Sequence, residues 1–221
     1  SGSDQFSLLM GDKDPRPMIP NVIEAHRLAR EAIKSHRATL RVGLSLAVPD
    51  EAPVTSNSAI ERKRADVYGA FFAAAKDDDF IGVQVYGRDY IGPERSVPAP
   101  KDVPRRANGM EWFPAAVGNV VRYVHGATGK PILVTENGID TSDDAERARF
   151  IPAAVKSVLD ARDAGVPVLG YIHWSLLDNF EWLSGYGPKY GLVAVDRQTF
   201  KRTVKPSAEL LGRIARAGGV A

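Results

Sequence analysis

The segment that most constrains this chain is Pro131–Asp140, with the sequence PILVTENGID. Ile132, Leu133 and Val134 form a short apolar run between a proline and a glycine, which is typical of a strand buried on both faces. A carboxylate, Glu136, follows where this strand ends. In α/β proteins with parallel strands, reacting groups lie at the carboxyl ends of the strands, because the loops there form the open face of the sheet. The segment therefore predicts a parallel α/β sheet and makes Glu136 a candidate reacting group.

The same residues also have an ordinary structural explanation. Asn137 and Gly138 are common turn residues, and a turn directly after a strand needs no catalytic purpose. On this segment alone, catalysis does not rank above a strand-to-turn junction. A second segment changes the ranking: residues 173–182, with the sequence HWSLLDNFEW.

Together the two segments resemble one family. TENG, followed about forty residues later by WSLLDNFEW and then by GYGPKYGLVAVD, is similar to the C-terminal half of a family 1 glycoside hydrolase, the β-glucosidase family. The resemblance extends over about residues 19–217. It implies an α/β fold of the (β/α)8 TIM-barrel type, to which this chain supplies about four β/α units, the C-terminal half-barrel. The family's other catalytic carboxylate, in an Asn-Glu-Pro motif after the fourth strand, has no counterpart in this sequence.

Helical and strand patterns alternate along the chain, which implies a parallel sheet with right-handed crossovers. Four β/α units cannot close an eight-stranded barrel, which typically needs roughly 250 residues or more. We expect residues 1–221 to form a single half-barrel unit, with loops over residues 49–58 and 87–109. Its ends are expected to be an irregular lead-in over residues 1–20, a helix capped by Asn21, a hairpin over residues 191–203 and a final helix over residues 206–218.

Composition excludes several functional classes. The formal net charge of +2, with acids and bases interspersed, predicts neither nucleic acid nor membrane as a partner. No apolar run approaches the roughly 20 residues that span a bilayer, and no secretion signal is recognisable. The absence of cysteine excludes disulfides and thiolate metal sites and fits the cytoplasmic location that we expect. Without clustered metal-ligand spacing, we expect no metal and no cofactor.

The resemblance implies catalytic roles for two residues. Glu136 would be the nucleophile of a retaining glycosidase, in which two carboxyl groups roughly 5–5.5 Å apart attack the anomeric carbon and protonate the leaving oxygen. Tyr86, at the end of the preceding strand, would donate a hydrogen bond that orients and stabilises the ionised nucleophile; packing under a loop is its ordinary alternative. The second carboxyl group is expected from a missing N-terminal half. Glu94, in a loop, is the one substitute acid that the sequence offers.

The resemblance also implies a sugar site. Glu181 and Trp182 match the family's sugar-binding pair, in which a carboxylate accepts bonds from two adjacent hydroxyls and an indole supplies an apolar face and an N–H donor. Relatives that cleave phosphorylated sugars lack this pair, so an unphosphorylated glucose-like or galactose-like ring is implied. Trp174 and Tyr190 match positions beside the sugar. Gln84 replaces an active-site asparagine of the family, so its reach differs by one methylene.

Three hypotheses follow. In the first, the chain is the nucleophile-bearing half of a retaining β-glycosidase, acting on a small-molecule β-glycoside when an N-terminal half-barrel chain completes it; alone, it is expected not to turn over glycosides. In the second, it is a non-catalytic half-barrel that self-associates as a homodimer, because an open parallel sheet leaves two unpaired edges. In the third, it is a sugar-binding remnant that retains Glu181 and Trp182.

Overall fold

The computed structural model describes residues 16–106 and 108–220, in which helices and strands alternate. The helices are α1 (Ile19–His36), α2 (Ile60–Ala74), α3 (Ala116–Thr128), α4 (Asp144–Asp163) and α5 (Pro206–Ala217). The strands are β1 (Gly43–Ala47), β2 (Asp50–Pro53), β3 (Phe80–Val85), β4 (Arg88–Ile91), β5 (Ser96–Val97), β6 (Ile132–Asn137), β7 (Val168–His173), β8 (Val193–Val195) and β9 (Arg202–Val204).

Four of these strands form the main sheet, in the order β1-β3-β6-β7. All three pairings are parallel. Each of the four strands is followed along the chain by a helix, α2, α3, α4 and α5 in turn. The sheet is therefore made of four consecutive β/α units, half of the number in a TIM barrel, as the sequence predicts.

The hydrophobic core lies between the sheet and its helices. Ile81, Val83 and Val85 of β3 are fully buried, because alternate side chains of a strand point to the same face. They belong to one cluster with Val117 and Val121 of α3. This packing fixes β3, and with it the loop that begins at its carboxyl end.

The opposite face of the sheet carries small and polar residues at its centre. A Cβ added at Gly82 would lie 2.8 Å from the Ser45 side chain and 2.9 Å from the Thr135 methyl group. The glycine lets side chains of β1 and β6 meet across β3, where the Ser45 and Thr135 hydroxyls hydrogen-bond at 2.7 Å. In a closed barrel this face is the interior; here Ser45 is exposed to solvent.

Two segments expected to be loops contain strands, so that expectation was wrong. β2 lies within residues 49–58, β4 and β5 lie within residues 87–109, and together they form a second sheet in the order β2-β4-β5. β2 follows β1 and β4 follows β3 after two residues, so this sheet extends the carboxyl ends of the main strands. Glu51 anchors it to α2 through ion pairs with Lys63 and Arg64 at 3.0 and 2.9 Å.

The start of the described chain also differs from expectation. α1 begins at Ile19, inside the lead-in expected over residues 1–20, of which residues 1–15 lie outside the described part. The cap is Met18 instead of Asn21, and Pro20 occupies the first turn, where its missing N–H is tolerated. Near the other end, β8 and β9 form an antiparallel hairpin and α5 follows. Over the described ranges, no helix combines the length and apolar character needed to cross a membrane.

Candidate active site

Glu136 lies at the carboxyl end of β6 and is held by two side chains of β3 and its loop. Gln84 Nε2 donates a hydrogen bond to Glu136 Oε1 at 2.8 Å, and the Tyr86 hydroxyl donates one to Oε2 at 2.6 Å. The register between β3 and β6 shifts after Val83, so that Gln84 pairs with Glu136. This irregularity places Glu136 on the same face as Thr135, although strict alternation would separate them. Each carboxylate oxygen therefore has a donor, and the carboxylate orientation is fixed.

The surroundings of Glu136 act on its charge in opposite directions. Partial burial raises the pKa of this carboxyl group, and the negative charge of Glu181 raises it further, whereas the hydrogen bond from Tyr86 lowers it; the net effect is a raised pKa. Burial and the bond to Glu136 raise the pKa of Tyr86. The phenol therefore remains protonated and continues to donate to the carboxylate.

The two residues after Glu136 do more than form a turn. Asn137 is buried; its Nδ2 donates to the Val85 carbonyl oxygen and its Oδ1 accepts from the Tyr171 hydroxyl, both at 2.7 Å. This one side chain therefore joins β3, β6 and β7 below the site. A Cβ added at Gly138 would lie 1.9 Å from the Trp174 carbonyl oxygen. Glycine is required here by the close approach of the ends of β6 and β7.

The predicted sugar-binding residues lie on the loop after β7. Trp174 Nε1 donates a hydrogen bond to Glu181 Oε1 at 3.0 Å, which orients the carboxylate. No other donor in the described part of the chain bonds this side chain, so Glu181 Oε2 is available to a ligand. Trp182 follows, and 72% of its surface is exposed. The indole is open to solvent and makes no aromatic pair with another described side chain.

Tyr190 lies on the Glu136 side of the site. Its ring packs edge-on against that of Tyr86, with the centroids 5.7 Å apart. Burial and the charges of Asp140 and Glu181 raise the pKa of Tyr190 to about 12, so its hydroxyl stays protonated at neutral pH. Contacts thus join Gln84, Tyr86 and Tyr190 to Glu136, and a hydrogen bond joins Trp174 to Glu181. The charge of Glu181 acts on Glu136. The seventh predicted side chain, Trp182, is adjacent to Glu181 in sequence but solvent-exposed.

Two further residues near the site need a separate account. Glu94, the substitute acid suggested by the sequence, is exposed in the turn between β4 and β5 and hydrogen-bonds none of the site residues named above. His173 is buried at the end of β7, where neither ring nitrogen has a hydrogen-bond partner of normal geometry among the described residues. Burial and the nearby charge of Arg147 lower the pKa of His173 to about 4. This imidazole is neutral in the folded protein at neutral pH.

Sequence reasoning missed the residues that support the site. Asn137 was interpreted as a turn residue, and Tyr171 was not singled out; the signal was a polar side chain within a buried strand, which must find a partner. Among the described residues, no group of three or more histidine or carboxylate side chains is arranged to hold a metal ion.

Comparison with known proteins connects this geometry to a family. The model of glycosyl hydrolase family 1 matches residues 89–220. The β-galactosidase of Sulfolobus acidocaldarius is 30% identical over 234 residues, which cover 90% of this chain and 48% of that protein. The chain therefore spans about half the length of this curated relative.

Solved structures agree. A β-glucosidase designated 1317, solved in its apo form, is 45% identical with a TM-score of 0.88, and the match covers 93% of this chain and 51% of that one. The β-glycosidase BGL167 is 43% identical with a TM-score of 0.80, over 90% of this chain and 48% of that one. With four parallel β/α units and a family match over more than half of its residues, the chain belongs to glycosyl hydrolase family 1, whose TIM-barrel fold it represents in part.

Proposed function

We propose that the chain is the nucleophile-bearing half of a retaining β-glycosidase that acts on unphosphorylated β-glucosides or β-galactosides. The observation that carries the proposal is the carboxylate of Glu136 at the end of a parallel strand, with Tyr86 and Gln84 each donating to one of its oxygens. A nucleophile needs this kind of orientation, because attack requires one oxygen to be aimed at the anomeric carbon.

In the proposed reaction, Glu136 attacks the anomeric carbon as the glycosidic bond to the leaving oxygen breaks, and water then hydrolyses the covalent glycosyl-enzyme that forms. Tyr86 holds the attacking carboxylate in its ionised form. The sugar is held by Glu181, which Trp174 orients, with Trp182 as an apolar face and Tyr190 beside the ring. Gln84 retains an amide at the family's asparagine position. No cofactor or metal has a part in this scheme.

The proton donor is proposed to come from outside these residues, in an N-terminal half-barrel. Loss of general acid–base catalysis costs roughly 10²–10⁴ in rate, so the chain alone is expected to be nearly inactive. The completing half would pair with the free edges of β1 and β7 and cover α1. Polar residues of α1 already bind the chain, with His26 and Lys34 contacting Asp78 and Asp79, whereas its apolar residues Val22, Leu28 and Ile33 are exposed.

These exposed side chains also favour a second candidate. A homodimer could cover the same α1 surface and the same sheet edges, and would give a half-barrel assembly without a proton donor. The two candidates differ in whether an added N-terminal half-barrel gives activity: the first predicts that it does, and the second predicts that it does not. A sugar-binding remnant is a third outcome, in which Glu181 and Trp182 bind sugar and no covalent step occurs.

Complementation tests the proposal. The chain is mixed with the first four β/α units of the 45%-identical β-glucosidase, and hydrolysis of an aryl β-glucoside is followed alongside the oligomeric mass. We expect activity only in the mixture, and no activity when the chain carries Glu136→Gln. A 2-deoxy-2-fluoroglucosyl fluoride should label the active mixture on Glu136, as read by peptide mass spectrometry. Hydrolysis by the unmixed chain, or by the Glu136→Gln mixture, would refute the proposal; a stable inactive homodimer that excludes the added half would support the second candidate.

A further inference from the structure

Arg147, in the first turn of α4, is the largest wholly buried side chain among the described residues and has no part in the proposed reaction. Its Nη1 donates to Asp144 Oδ1 at 2.6 Å, and its Nη2 donates to the carbonyl oxygens of Thr141 and Lys189 at 2.7 and 2.5 Å. A buried cation is costly unless its donors are paired. The planar guanidinium pairs both terminal nitrogens with three acceptors at fixed angles, and its Nε has no hydrogen-bond partner among the described residues.

These acceptors lie on three separate parts of the fold. Asp144 begins α4 and also accepts from the backbone N–H and hydroxyl of Ser207, in the first turn of α5, at 2.9 and 2.6 Å. Thr141 lies in the loop after β6, only five residues beyond Glu136. Lys189 lies in the segment that returns from the sugar-binding loop. Arg147 is therefore the point at which two helices and two active-site segments meet.

The segment at Lys189 has little freedom to move. Its backbone N–H donates to Asp140 Oδ1 at 2.7 Å, and its carbonyl accepts from the Thr141 N–H at 3.1 Å as well as from Arg147. The next residue is Tyr190, whose carbonyl accepts from the Ser175 N–H at 3.2 Å. The backbone on both sides of the Tyr190 side chain is thus fixed to the ends of β6 and β7.

Contacts continue from this segment to the candidate nucleophile. The Tyr190 ring packs edge-on against Tyr86, and the Tyr86 hydroxyl donates to Glu136 Oε2. A displacement of the Lys189 carbonyl therefore changes the support of the Tyr86 ring, and with it the hydrogen bond that favours ionised Glu136.

We propose that Arg147 is a positioning residue that acts through the Lys189 carbonyl, Tyr190 and Tyr86 to hold the hydrogen bond on Glu136. The importance of this bond for turnover rests on the function proposed above, but the physical link does not. The link is testable on the 221-residue chain itself, without any glycosidase activity.

The test uses Arg147→Lys, which keeps the cation but loses the planar fork that reaches three acceptors at once. The matched control is Arg162→Lys on the same helix, whose ion pair with Asp163 is solvent-exposed. Hydrogen exchange measures how fast the backbone N–H groups of Thr141 and Lys189 exchange, and carboxyl ¹³C NMR measures the pKa of Glu136. We expect about tenfold faster exchange at both amides, the scale of one lost hydrogen bond to a charged group, together with a rise in the pKa of Glu136. The control should change neither.

Two results would overturn the proposal. One is faster exchange at Thr141 and Lys189 with an unchanged pKa of Glu136, which would make Arg147 a structural residue only. Arg147→Lys could instead destabilise the whole protein, so that hydrogen exchange becomes faster at amides throughout the chain. In that case a second variant, Asp140→Ala, is measured, because it removes the acceptor of the Lys189 N–H and leaves Arg147 unchanged. A raised pKa of Glu136 in that variant supports the link, and an unchanged pKa refutes it. Neither measurement requires turnover, so an inactive complemented mixture would contradict the proposed function and leave this inference standing.

Discussion

Replacing Tyr86 by phenylalanine removes one hydroxyl and leaves the ring against Tyr190. The lost group is the donor to Glu136 Oε2 at 2.6 Å, while Gln84 continues to donate to Oε1. The Tyr86 bond lowers the pKa of Glu136 against the effects of burial and of Glu181, which raise it. The variant should therefore raise the pKa of Glu136 further.

The size of this change follows from the bond and its exposure. A hydrogen bond to a charged group contributes about 1.5–3 kcal/mol, and the 39% exposure of Tyr86 places this one at the lower end. Because each pKa unit corresponds to about 1.4 kcal/mol, the pKa of Glu136 should rise by about one unit. In the complemented enzyme, the acid limb of the kcat/KM profile should move to higher pH by the same amount, since Glu136, as the proposed nucleophile, must be ionised.

The direct assay is a carboxyl ¹³C NMR titration of the chain labelled at glutamate, with Glu136→Gln to assign the resonance. Tyr190→Phe is the matched control, because it removes a neighbouring phenol that does not donate to Glu136. A Glu136 pKa that stays constant or falls in Tyr86→Phe would refute the reasoning. An equal rise in Tyr190→Phe would show that loss of the general polarity of the site, and not this bond, is responsible.

Three further predictions concern other parts of the structure. Gly138→Ala should lower the free energy of unfolding by about 3 kcal/mol, because its Cβ would meet the Trp174 carbonyl; in urea denaturation Gly126→Ala, in α3 with no atom within 4 Å, should be neutral or stabilising, and equal losses would contradict the steric argument. The pKa of His173 is about 4 against an ordinary 6.5, so the unfolded state binds more protons between these values and stability should fall by about 3 kcal/mol as the pH decreases from 6.5 to 4. His173→Phe should reduce this dependence in denaturation measured across pH, and an unchanged slope would mean that other groups cause it. Trp174→Phe should weaken binding of an iminosugar to the complemented enzyme roughly fivefold in calorimetry, because Glu181 loses its orienting donor; unaltered affinity would exclude that role.

The main sheet could be predicted because its strands carry their own signal. Ile132 and Val134 of β6 are buried by helices whatever lies on the other face, so an apolar run between Pro131 and Gly138 was sufficient. β2 and β4 carry no such signal: their sequences, DEAP and RDYI, contain charged residues and a proline, and they are strands only because they pair with each other beyond the ends of β1 and β3. Pairing between segments distant in sequence overrides local propensity in this way.

The residues of the candidate site also differ in how clearly the sequence alone indicates them. Glu136, Tyr86 and Glu181 follow from motifs in which the reacting or binding group is itself part of the pattern. Asn137 and Arg147 do not, because their function depends on partners that only the folded chain brings together: Val85 and Tyr171 for the amide, and the Lys189 carbonyl for the guanidinium. From a single sequence, the groups that can react are easier to identify than the groups that hold them in place.

Gln84 shows where motif and geometry must be combined. The family pattern has asparagine at this position, and from the sequence the extra methylene only changed the expected reach of the amide. In the folded chain the register shift after Val83 places Gln84 directly beside Glu136, and the longer side chain donates to Oε1. Because Tyr86 donates to Oε2, the Glu136 carboxylate has a donor on each oxygen. An asparagine here would end one methylene short of the distance that the glutamine amide spans, so the substitution and the strand irregularity together determine how this carboxylate is held.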